Sequence, residues 1–348
     1  MKALTFTGVE RIAYETIADP QLIESTDVIV KVSHCAICGS DLHVYHGRET
    51  GIDLHTAMGH EFTGEVVEAG KQVSSLRVGD KIMSPFTTSC GDCYFCRMGL
   101  TARCIKGQLF GWVEKGTGLQ GGQAEFVRVP LADTTLQKIP DGISHEEALL
   151  LGDILSTGYF CARQAAIKPG GVYAVVGCGP VGLMTICSAI ALGADVVLAI
   201  DSVEERLFKA VSFGAVAVHA QQLAPVEVVR SYTNGYGADA VMEAVGSLSA
   251  GRLAYELVRP GGTISSVGVC TDAHLPFSPE EAYNKNITYK AGRCPARFYM
   301  DKLVPVVREK KFDFTSIFTH RMKLSEGVRA YDLFANRKDG CLKVVLEA

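Results

Sequence analysis

The fold of this chain is decided by the stretch VYAVVGCGPVG, which runs from Val172 to Gly182. Its apolar first half predicts a β-strand, and the glycine pattern that follows predicts a tight turn leading into a helix. Gly177 would turn the chain, Gly179 would let the backbone approach a pyrophosphate, and Gly182 would let the helix pack on the strand. We therefore expect a dinucleotide here, with its diphosphate at the helix N-terminus. The expected contacts of this turn are Gly177, Gly179, Pro180, Val181 and Gly182.

A second apolar run, Val196 to Ile200, is followed by Asp201, nineteen residues after Gly182. An acidic side chain at this distance can accept hydrogen bonds from both ribose hydroxyls, and its charge would repel a 2′-phosphate. The spacing therefore predicts NAD rather than NADP. Two alternatives remain open at this point. The turn could belong to an α/β domain that binds no nucleotide, and Asp201 could be the N-cap of a helix that begins near Glu204.

The composition is that of an ordinary soluble globular protein, with 348 residues, 47% apolar residues and a formal net charge of −4. The length favours two domains, and the absence of a basic excess argues against nucleic acid or an anionic membrane as a partner. The first residues show no secretion signal, and we identify no membrane span. Twelve cysteines, several at metal-ligand spacing, favour a reducing compartment. We therefore expect a cytoplasmic protein.

The first part of the chain alternates apolar and polar residues, which predicts a mostly β domain. It contains the sequence HCAICGSDLH, residues 34–43, and then MGHE, residues 58–61. Cys38 and His60 are the metal ligands that we predict here, because zinc prefers thiolate and imidazole and a catalytic site needs only three protein ligands. Taken singly, each residue is more typical of a buried thiol or a core histidine.

Four cysteines lie close together at Cys90, Cys93, Cys96 and Cys104. Four thiolates can close a tetrahedron around zinc and leave no open position, so this cluster predicts a structural zinc site. Paired disulfides or an iron–sulfur cluster are the alternatives, and the expected compartment argues against the disulfides. The neighbouring segment 107–122 is predicted as a loop, in which Trp112 either lines a substrate cleft or packs the loop.

Taken together, the residues Cys38-Gly-Ser-Asp-Leu-His43, Gly59-His-Glu61 and the four-cysteine cluster resemble the zinc-dependent medium-chain dehydrogenase/reductase family, which includes the alcohol dehydrogenases. The resemblance covers essentially the whole chain. It implies an α/β protein with a GroES-like, mostly-β catalytic domain over 1–152 and 291–348, including a structural zinc lobe at 90–104. A Rossmann domain with a doubly wound parallel sheet would occupy 153–290.

The resemblance also implies roles for residues of the catalytic domain. Cys38, His60 and Asp153 would bind the catalytic zinc, and Glu61 could join them as a further ligand. Ser40 and His43 would form a proton relay, and Asp41 would orient His60. From the residues alone, Asp153 could instead be an N-cap and His43 a surface histidine without a role.

Alternating strands and helices after Asp201 predict a parallel sheet whose strands end at a ligand-binding edge. By resemblance, valines at this edge, Arg206 on the helix after Asp201, Thr157 at the crossing between the domains and Lys343 on the last strand of the catalytic domain would contact the cofactor. The valines could instead be plain strand residues, and the two basic residues could be solvated. We assign the six scattered cysteines to packing. The additional predicted cofactor contacts are Thr157, Arg206, Val245, Val267, Val269 and Lys343, and the scattered cysteines are Cys161, Cys178, Cys187, Cys270, Cys294 and Cys341.

These observations lead to an NAD-dependent zinc alcohol dehydrogenase with one catalytic and one structural zinc per chain. Its partner would be a small-molecule alcohol, and by resemblance the chain would form a homodimer or homotetramer. A relative specific for formaldehyde, threonine or a polyol is an alternative, as is a non-catalytic structural protein that retains the fold. A zinc-free quinone reductase is disfavoured because it would lack both metal clusters.

Overall fold

The structure is a computed structural model that describes residues 1–348. The chain divides into two compact units: unit 1 comprises Met1–Ser156 and Pro295–Ala348, and unit 2 comprises Thr157–Cys294. Each division falls four residues later than the predicted boundary, after 156 rather than 152 and after 294 rather than 290. Asp153, which we expected at the start of the nucleotide domain, therefore belongs to unit 1.

The secondary structure consists of 17 strands, 12 α-helices and four 3₁₀ turns. The strands are β1 (Lys2–Gly8), β2 (Arg11–Thr16), β3 (Val28–Ala36), β4 (Glu61–Ala69), β5 (Lys81–Met83), β6 (Trp112–Glu114), β7 (Thr117–Leu119), β8 (Phe126–Val129), β9 (Gln137–Lys138), β10 (Val172–Val176), β11 (Val196–Asp201), β12 (Val216–His219), β13 (Ala238–Glu243), β14 (Val258–Ser266), β15 (Thr288–Ala291), β16 (Phe318–Lys323) and β17 (Lys343–Glu347). The α-helices are α1 (Asp41–Tyr45), α2 (Tyr94–Arg97), α3 (Ala132–Thr135), α4 (His145–Gly152), α5 (Ile154–Gln164), α6 (Pro180–Ala191), α7 (Glu204–Ser212), α8 (Pro225–Tyr232), α9 (Leu248–Leu257), α10 (Pro279–Lys285), α11 (Ala296–Arg308) and α12 (Gly327–Ala335). The 3₁₀ turns are Thr101–Arg103, Phe314–Ile317, Leu324–Glu326 and Lys338–Gly340.

Unit 2 contains a six-stranded sheet in the order β12-β11-β10-β13-β14-β15, and every neighbouring pair of strands is parallel. This order confirms the predicted doubly wound sheet. The chain runs outward from β10 in one direction and then, from β13, in the other, so the order reverses between these two strands. Ligands bind at such a reversal in open α/β sheets.

The core of unit 2 explains why its strands read as continuous apolar runs. Residues of β10 and β11 are buried on both sides of the sheet, as expected where helices cover both faces of parallel strands. Its buried core includes Ala174, Val176, Leu198, Ile200, Val241 and Ile264.

Unit 1 is mostly β, as predicted, and its main sheet has seven strands. The order is β16-β17-β3-β4-β5-β9, and β8 also pairs with β3. All these pairings are antiparallel except that of β16 with β17. The C-terminal strand β17 lies directly beside β3, so residues near the end of the chain meet residues that precede Cys38.

Some local predictions were wrong in detail. The segment 107–122 is not simply a loop, because β6 and β7 form a hairpin within it, and Trp112 packs against the core of unit 1. Among the six scattered cysteines, five are buried as expected, but Cys270 is exposed after the end of β14. None of the helices combines the length and apolar character that crossing a membrane requires.

Candidate functional site

Four side chains of unit 1 converge in the interior: Cys38, His60, Glu61 and Asp153 are all buried, and their potential ligand atoms lie within 4.8 Å of one another. The sheet explains this convergence. Cys38 follows the end of β3 and His60 precedes the start of β4, and these antiparallel strands align Ala36 with Glu61. Asp153 is the C-cap residue of α4 and directly precedes α5, which begins at Ile154, so a place at a helix start and a place in this cluster are compatible.

The distances in this cluster are those of groups that can share one ion. The Oδ2 atom of Asp153 lies 3.4 Å from Cys38 Sγ and 3.4 Å from His60 Nε2. Thiolate sulfur, imidazole nitrogen and carboxylate oxygen are the donors that zinc binds in proteins. The donor set therefore fits a zinc ion held by three protein ligands, with Glu61 close enough to serve as a fourth.

The buried groups of this cluster also perturb one another electrostatically. Burial, together with the charges of Asp153 and Glu61, raises the pKa of the Cys38 thiol to about 11. Burial would also raise the pKa of Asp153, but the hydrogen bond and charge of His60 outweigh it and lower that pKa to about 2. A divalent cation is the strongest local charge in such a site and would draw the thiol into its thiolate form.

Glu61 forms a fully buried ion pair with Lys343, at 2.8 Å from the lysine Nζ to the Glu61 oxygens. Lys343 also donates a hydrogen bond to the Ile37 carbonyl at 3.2 Å. Burial raises the pKa of Glu61 to about 7, and the Lys343 charge opposes that shift. The suggestion that Lys343 is solvated is therefore wrong. Its side chain is 0% exposed, and its ammonium group binds Glu61 and the Ile37 carbonyl beside the expected metal ligands. A cofactor contact by Lys343 stays a prediction.

The ring of His60 has a defined orientation. Its Nδ1 atom lies 3.2 Å from Asp41 Oδ1, which leaves Nε2 to face Asp153. Asp41 Oδ2 also accepts a hydrogen bond from the backbone N–H of Cys38 at 2.9 Å. One carboxylate thus contacts the segments that carry two of the expected ligands, as partners of metal-bound histidines commonly do.

The two residues of the expected proton relay lie at the start of the short helix α1. Ser40 Oγ lies 3.2 Å from His60 Nε2, so the hydroxyl is at the edge of the metal cluster. His43 is half-buried, and its Nδ1 atom is buried without a hydrogen-bond partner. Burial lowers the pKa of His43, which favours the neutral imidazole. An imidazole in this form can accept a proton.

The four cysteines Cys90, Cys93, Cys96 and Cys104 form a second cluster, in which the sulfur atoms lie within 4.8 Å of one another. All four are free thiols in this structure, so they form no disulfides. Backbone N–H groups point at the sulfurs: that of Cys90 donates to Cys104 Sγ at 3.2 Å. Backbone hydrogen bonds from Cys96 and Ile105 lower the pKa of Cys93 to about 6, whereas burial raises the pKa values of Cys90 and Cys96. Donors aimed at sulfur stabilise thiolates, so this lobe fits a closed structural zinc site.

The glycine turn of unit 2 has the constraints that a dinucleotide site needs. Gly177 has φ +90°, and a Cβ there would lie 2.4 Å from Val245 Cγ2. A Cβ at Gly182 would lie 1.8 Å from the carbonyl oxygen of Gly177, so only glycine lets helix and turn approach this closely. At Gly179, the N-cap of α6, the nearest atom to an added Cβ is an Arg206 nitrogen at 3.8 Å. The space in front of Gly179 is open, as the approach of a pyrophosphate requires.

Asp201 is the last residue of β11, and its carboxylate binds backbone N–H groups on both sides. Oδ2 accepts from Cys178 in the glycine turn at 2.7 Å, and Oδ1 accepts from Ser202 and Val203 at 2.7 and 2.9 Å. The N-cap of α7 is Val203, so Asp201 holds the turn against the start of α7 without being its N-cap. Arg206 Nη1 lies 3.8 Å from Asp201 Oδ2.

The predicted valine contacts lie after the ends of β13 and β14. Val245 and Val269 are 46% and 41% exposed, which is unusual for valines that only pack a core. Buried Glu243 holds this edge by accepting hydrogen bonds from the N–H of Val245 at 2.6 Å and from Ser266 Oγ at 2.7 Å. Thr157, the first residue of unit 2, is half-buried on α5.

Sequence reasoning missed three buried polar residues: Gln123 and Tyr331, which form part of the network around Asp41, and Glu243 in unit 2. One signal for Gln123 is its position after Gly121 and Gly122. A Cβ at either glycine would lie within 2.4 Å of the segment that carries Met58 and Phe62. Such a pair of glycines indicates that two backbones approach closely.

Comparison with known proteins gives two family-model matches, an alcohol dehydrogenase GroES-like domain over residues 24–141 and a zinc-binding dehydrogenase domain over residues 180–305. The chain is 40% identical over 359 residues to zinc-type alcohol dehydrogenase B of Aspergillus flavus, an alignment that covers 100% of this chain and 81% of that protein. It resembles the solved alcohol dehydrogenase of Thermus sp. ATN1 with a TM-score of 0.94 and 40% identity, covering 100% and 99% of the two chains. A zinc-binding dehydrogenase of Sinorhizobium meliloti, solved bound to NADP, gives a TM-score of 0.84 at 26% identity, covering 100% and 99%.

Proposed function

Because the chain belongs to the zinc-dependent medium-chain dehydrogenase/reductase family, we propose that it oxidises an alcohol to an aldehyde or ketone, with NAD as the hydride acceptor. The observation that carries the proposal is the buried convergence of Cys38, His60 and Asp153. Zinc held by these residues would supply Lewis acidity that lowers the pKa of an alcohol oxygen towards neutrality. A second zinc, bound by the four cysteines, would stabilise the lobe at 90–104.

The side chains of unit 1 have distinct proposed tasks. Asp41 holds Nδ1 of His60, which keeps Nε2 directed at the metal position. Ser40 Oγ would accept the alcohol proton as it releases its own hydroxyl proton, and His43 would carry a proton towards solvent because its neutral ring can accept one. Burial of the ligands keeps water from competing at the site, which strengthens every electrostatic interaction there.

In unit 2 the N-terminus of α6 and the open space at Gly179 would bind the diphosphate. The carboxylate of Asp201 would disfavour a 2′-phosphate, which is our reason for proposing NAD. One observation favours NADP instead: Arg206 lies beside Asp201 and could pair with a phosphate. A zinc-binding dehydrogenase solved with NADP also resembles this chain.

The proposed substrate class is a small primary or secondary alcohol or a polyol, and formaldehyde-type and threonine-type substrates are included in the test. We also propose a homodimer or homotetramer located in the cytoplasm, without nucleic acid or membrane as a partner. The net charge of −4 supports the proposal that neither nucleic acid nor an anionic membrane is a partner.

The test is a screen of zinc-replete protein for alcohol-dependent formation of reduced cofactor at 340 nm, with NAD and NADP in parallel, together with zinc content per chain. We expect two zinc ions per chain and a preference for NAD. In Asp153→Asn we expect about one zinc ion and a turnover lowered more than about 100-fold, since changes behind a metal ligand alone cost 10- to 100-fold. Asp141→Asn, an exposed carboxylate ahead of α4, is the matched control and should match the unmodified protein.

Three outcomes would contradict parts of the proposal. Unchanged zinc content and turnover in Asp153→Asn would remove this residue from the metal site. Two zinc ions without reduced cofactor from any alcohol would favour the non-catalytic alternative. A preference for NADP would overturn the role given to Asp201.

A further inference from the structure

The side chain of Gln123 is completely buried and makes three hydrogen bonds, each to a different part of unit 1. Its Nε2 atom donates to the carbonyl of Ala36 at 3.1 Å and to Asp41 Oδ2 at 3.2 Å. Its Oε1 atom accepts from the hydroxyl of Tyr331 at 2.8 Å. A carbonyl and a carboxylate can only accept, so the amide nitrogen must face Asp41 and the amide oxygen must face Tyr331.

This amide contacts the residue that organises the metal ligands. Asp41 uses Oδ1 towards His60 Nδ1, and it uses Oδ2 for both the backbone N–H of Cys38 and the amide of Gln123. Three donors thus converge on one carboxylate and fix its plane. Loss of the amide donor would remove one of the three groups that fix the plane of Asp41, and the His60 ring would be held less firmly.

Gln123 also packs against the chain just before His60. Gly59 has φ +88°, and a Cβ there would lie 2.4 Å from Cγ of Gln123. The backbone N–H of Gln123 donates to the carbonyl of Met58 at 2.9 Å. The same side chain therefore contacts the His60 segment by packing and the His60 ring through Asp41.

Tyr331 completes the network from α12, more than 200 residues along the chain. Its side chain is 1% exposed, and burial raises its pKa well above the usual value. The phenol therefore stays protonated and donates a hydrogen bond to Gln123. A chain of hydrogen bonds thus links Tyr331 to Gln123 and Gln123 to Asp41, and Asp41 accepts on its other oxygen from His60.

We propose that Gln123 and Tyr331 are positioning residues for the catalytic metal, which set its affinity by holding Asp41 against His60. This inference rests on the proposed zinc function of Cys38, His60 and Asp153. It assigns a metal-related role to two residues that touch neither the metal position nor a substrate.

The test measures Zn²⁺ affinity at the catalytic site by competition with a chromophoric chelator, with the four-cysteine site as an internal reference. Gln123→Met keeps the length of the side chain but removes its donor and acceptor. We expect about a 10-fold loss of Zn²⁺ affinity at the catalytic site only, the lower end of the 10- to 100-fold range for direct partners of metal-bound histidines, because Gln123 acts through Asp41. Tyr331→Phe removes one hydroxyl and should cost less, about 3- to 10-fold, because it acts through one more hydrogen bond. Gln120→Met is the matched control, because Gln120 accepts from Ala57 N–H in the same region.

A double variant separates positioning from packing. In an Asp41→Asn background, Gln123→Met should change Zn²⁺ affinity less than about 2-fold, since residues that act through one partner are not additive. The Co²⁺-substituted protein adds a spectroscopic readout, and we expect an altered ligand-field spectrum in Gln123→Met without a change in the four-cysteine signal.

The proposal would be overturned if Gln123→Met and Tyr331→Phe were folded, less stable and unchanged in Zn²⁺ affinity, or if the effects of Gln123→Met and Asp41→Asn were additive. If Gln123→Met does not fold, Tyr331→Phe decides the question by the same measurement. These readouts compare variants with the unmodified protein and need no turnover. A missing second zinc in the unmodified protein would instead contradict the proposed function itself.

Discussion

The glycine turn offers a pair of substitutions that separates folding from cofactor binding. Gly182→Ala would place a Cβ 1.8 Å from the carbonyl oxygen of Gly177, far inside the contact distance of the two atoms. Gly179→Ala would meet only an Arg206 nitrogen at 3.8 Å, and φ −66° at this N-cap suits alanine. The same chemical change, three residues apart, should therefore have opposite consequences.

The magnitudes follow from these contacts. Overpacking lowers the free energy of unfolding by about 1–3 kcal/mol. The clash in Gly182→Ala is with a backbone oxygen, which cannot rotate away, so we expect a loss at or beyond the upper end of that range. About 3 kcal/mol corresponds to a fall in Tm of roughly 6–12 °C for a domain near this size. Gly179→Ala should leave Tm unchanged or raise it slightly, because alanine restricts the unfolded chain. It should nevertheless weaken NAD binding roughly 10- to 150-fold, since hydrogen bonds to a charged group are worth about 1.5–3 kcal/mol.

The assay is thermal unfolding of both variants with and without NAD, together with calorimetric titration of NAD. Gly182→Ala should lose stability in the absence of cofactor, whereas Gly179→Ala should lose only the stabilisation that NAD provides. Tight NAD binding by a stable Gly179→Ala protein would refute the inference that a diphosphate lies against this residue. An unchanged Tm for Gly182→Ala would refute the packing argument.

Two further predictions concern unit 1. Lys343→Met should lower the free energy of unfolding by about 3–5 kcal/mol in chemical denaturation, because it leaves Glu61 buried without its cation. Adding Glu61→Gln should recover most of that loss. A double variant as unstable as the single one would contradict the pairing. Asp133→Asn should lower the free energy of unfolding by about 1 kcal/mol, a value that allows for solvent screening of this partly exposed carboxylate. Burial opposes ionisation, but hydrogen bonds from Ser75 and Ser74 lower the Asp133 pKa from 3.8 to about 2. A carboxylate whose pKa is lower in the folded state stabilises the fold at pH values above its unfolded pKa of 3.8. We would measure the difference in unfolding free energy between the two proteins by denaturation at several pH values. This difference should be constant near neutrality and shrink between about pH 4 and pH 2. A difference that persists below pH 2 would show that another contact of Asp133 is responsible.

Local sequence was sufficient for the glycine turn and its flanking elements, because each constraint there is short-range. The run from Val172, the glycine spacing and Asp201 lie within 30 residues, and β10, α6 and β11 follow the predicted bounds closely. The four-cysteine cluster was equally accessible, since its members are separated by only a few residues. Resemblance to a family extended the prediction to Asp153, which spacing alone would not have joined to Cys38.

Long-range polar pairs could not be predicted in the same way. Lys343 and Glu61 are separated by 282 positions, and Tyr331 and Gln123 by 208. Nothing in the alternation of β17 tells a buried lysine from a solvated one, because the outcome depends on which strand lies beside it. In this chain that neighbour is β3, which brings the C-terminal strand to the metal ligands.

The metal cluster also explains why so many polar groups are buried in one part of unit 1. Cys38, Glu61 and Asp153 would carry negative charge around a bound cation, and such a group of charges is costly to bury unless it is compensated. Lys343 supplies one fixed positive charge on the side of Glu61, and Asp41, itself a buried carboxylate, directs His60. A divalent ion would neutralise much of the remaining negative charge. The site is thus built so that metal binding and the stability of unit 1 are coupled, since an ion that binds only the folded chain stabilises it in proportion to its affinity.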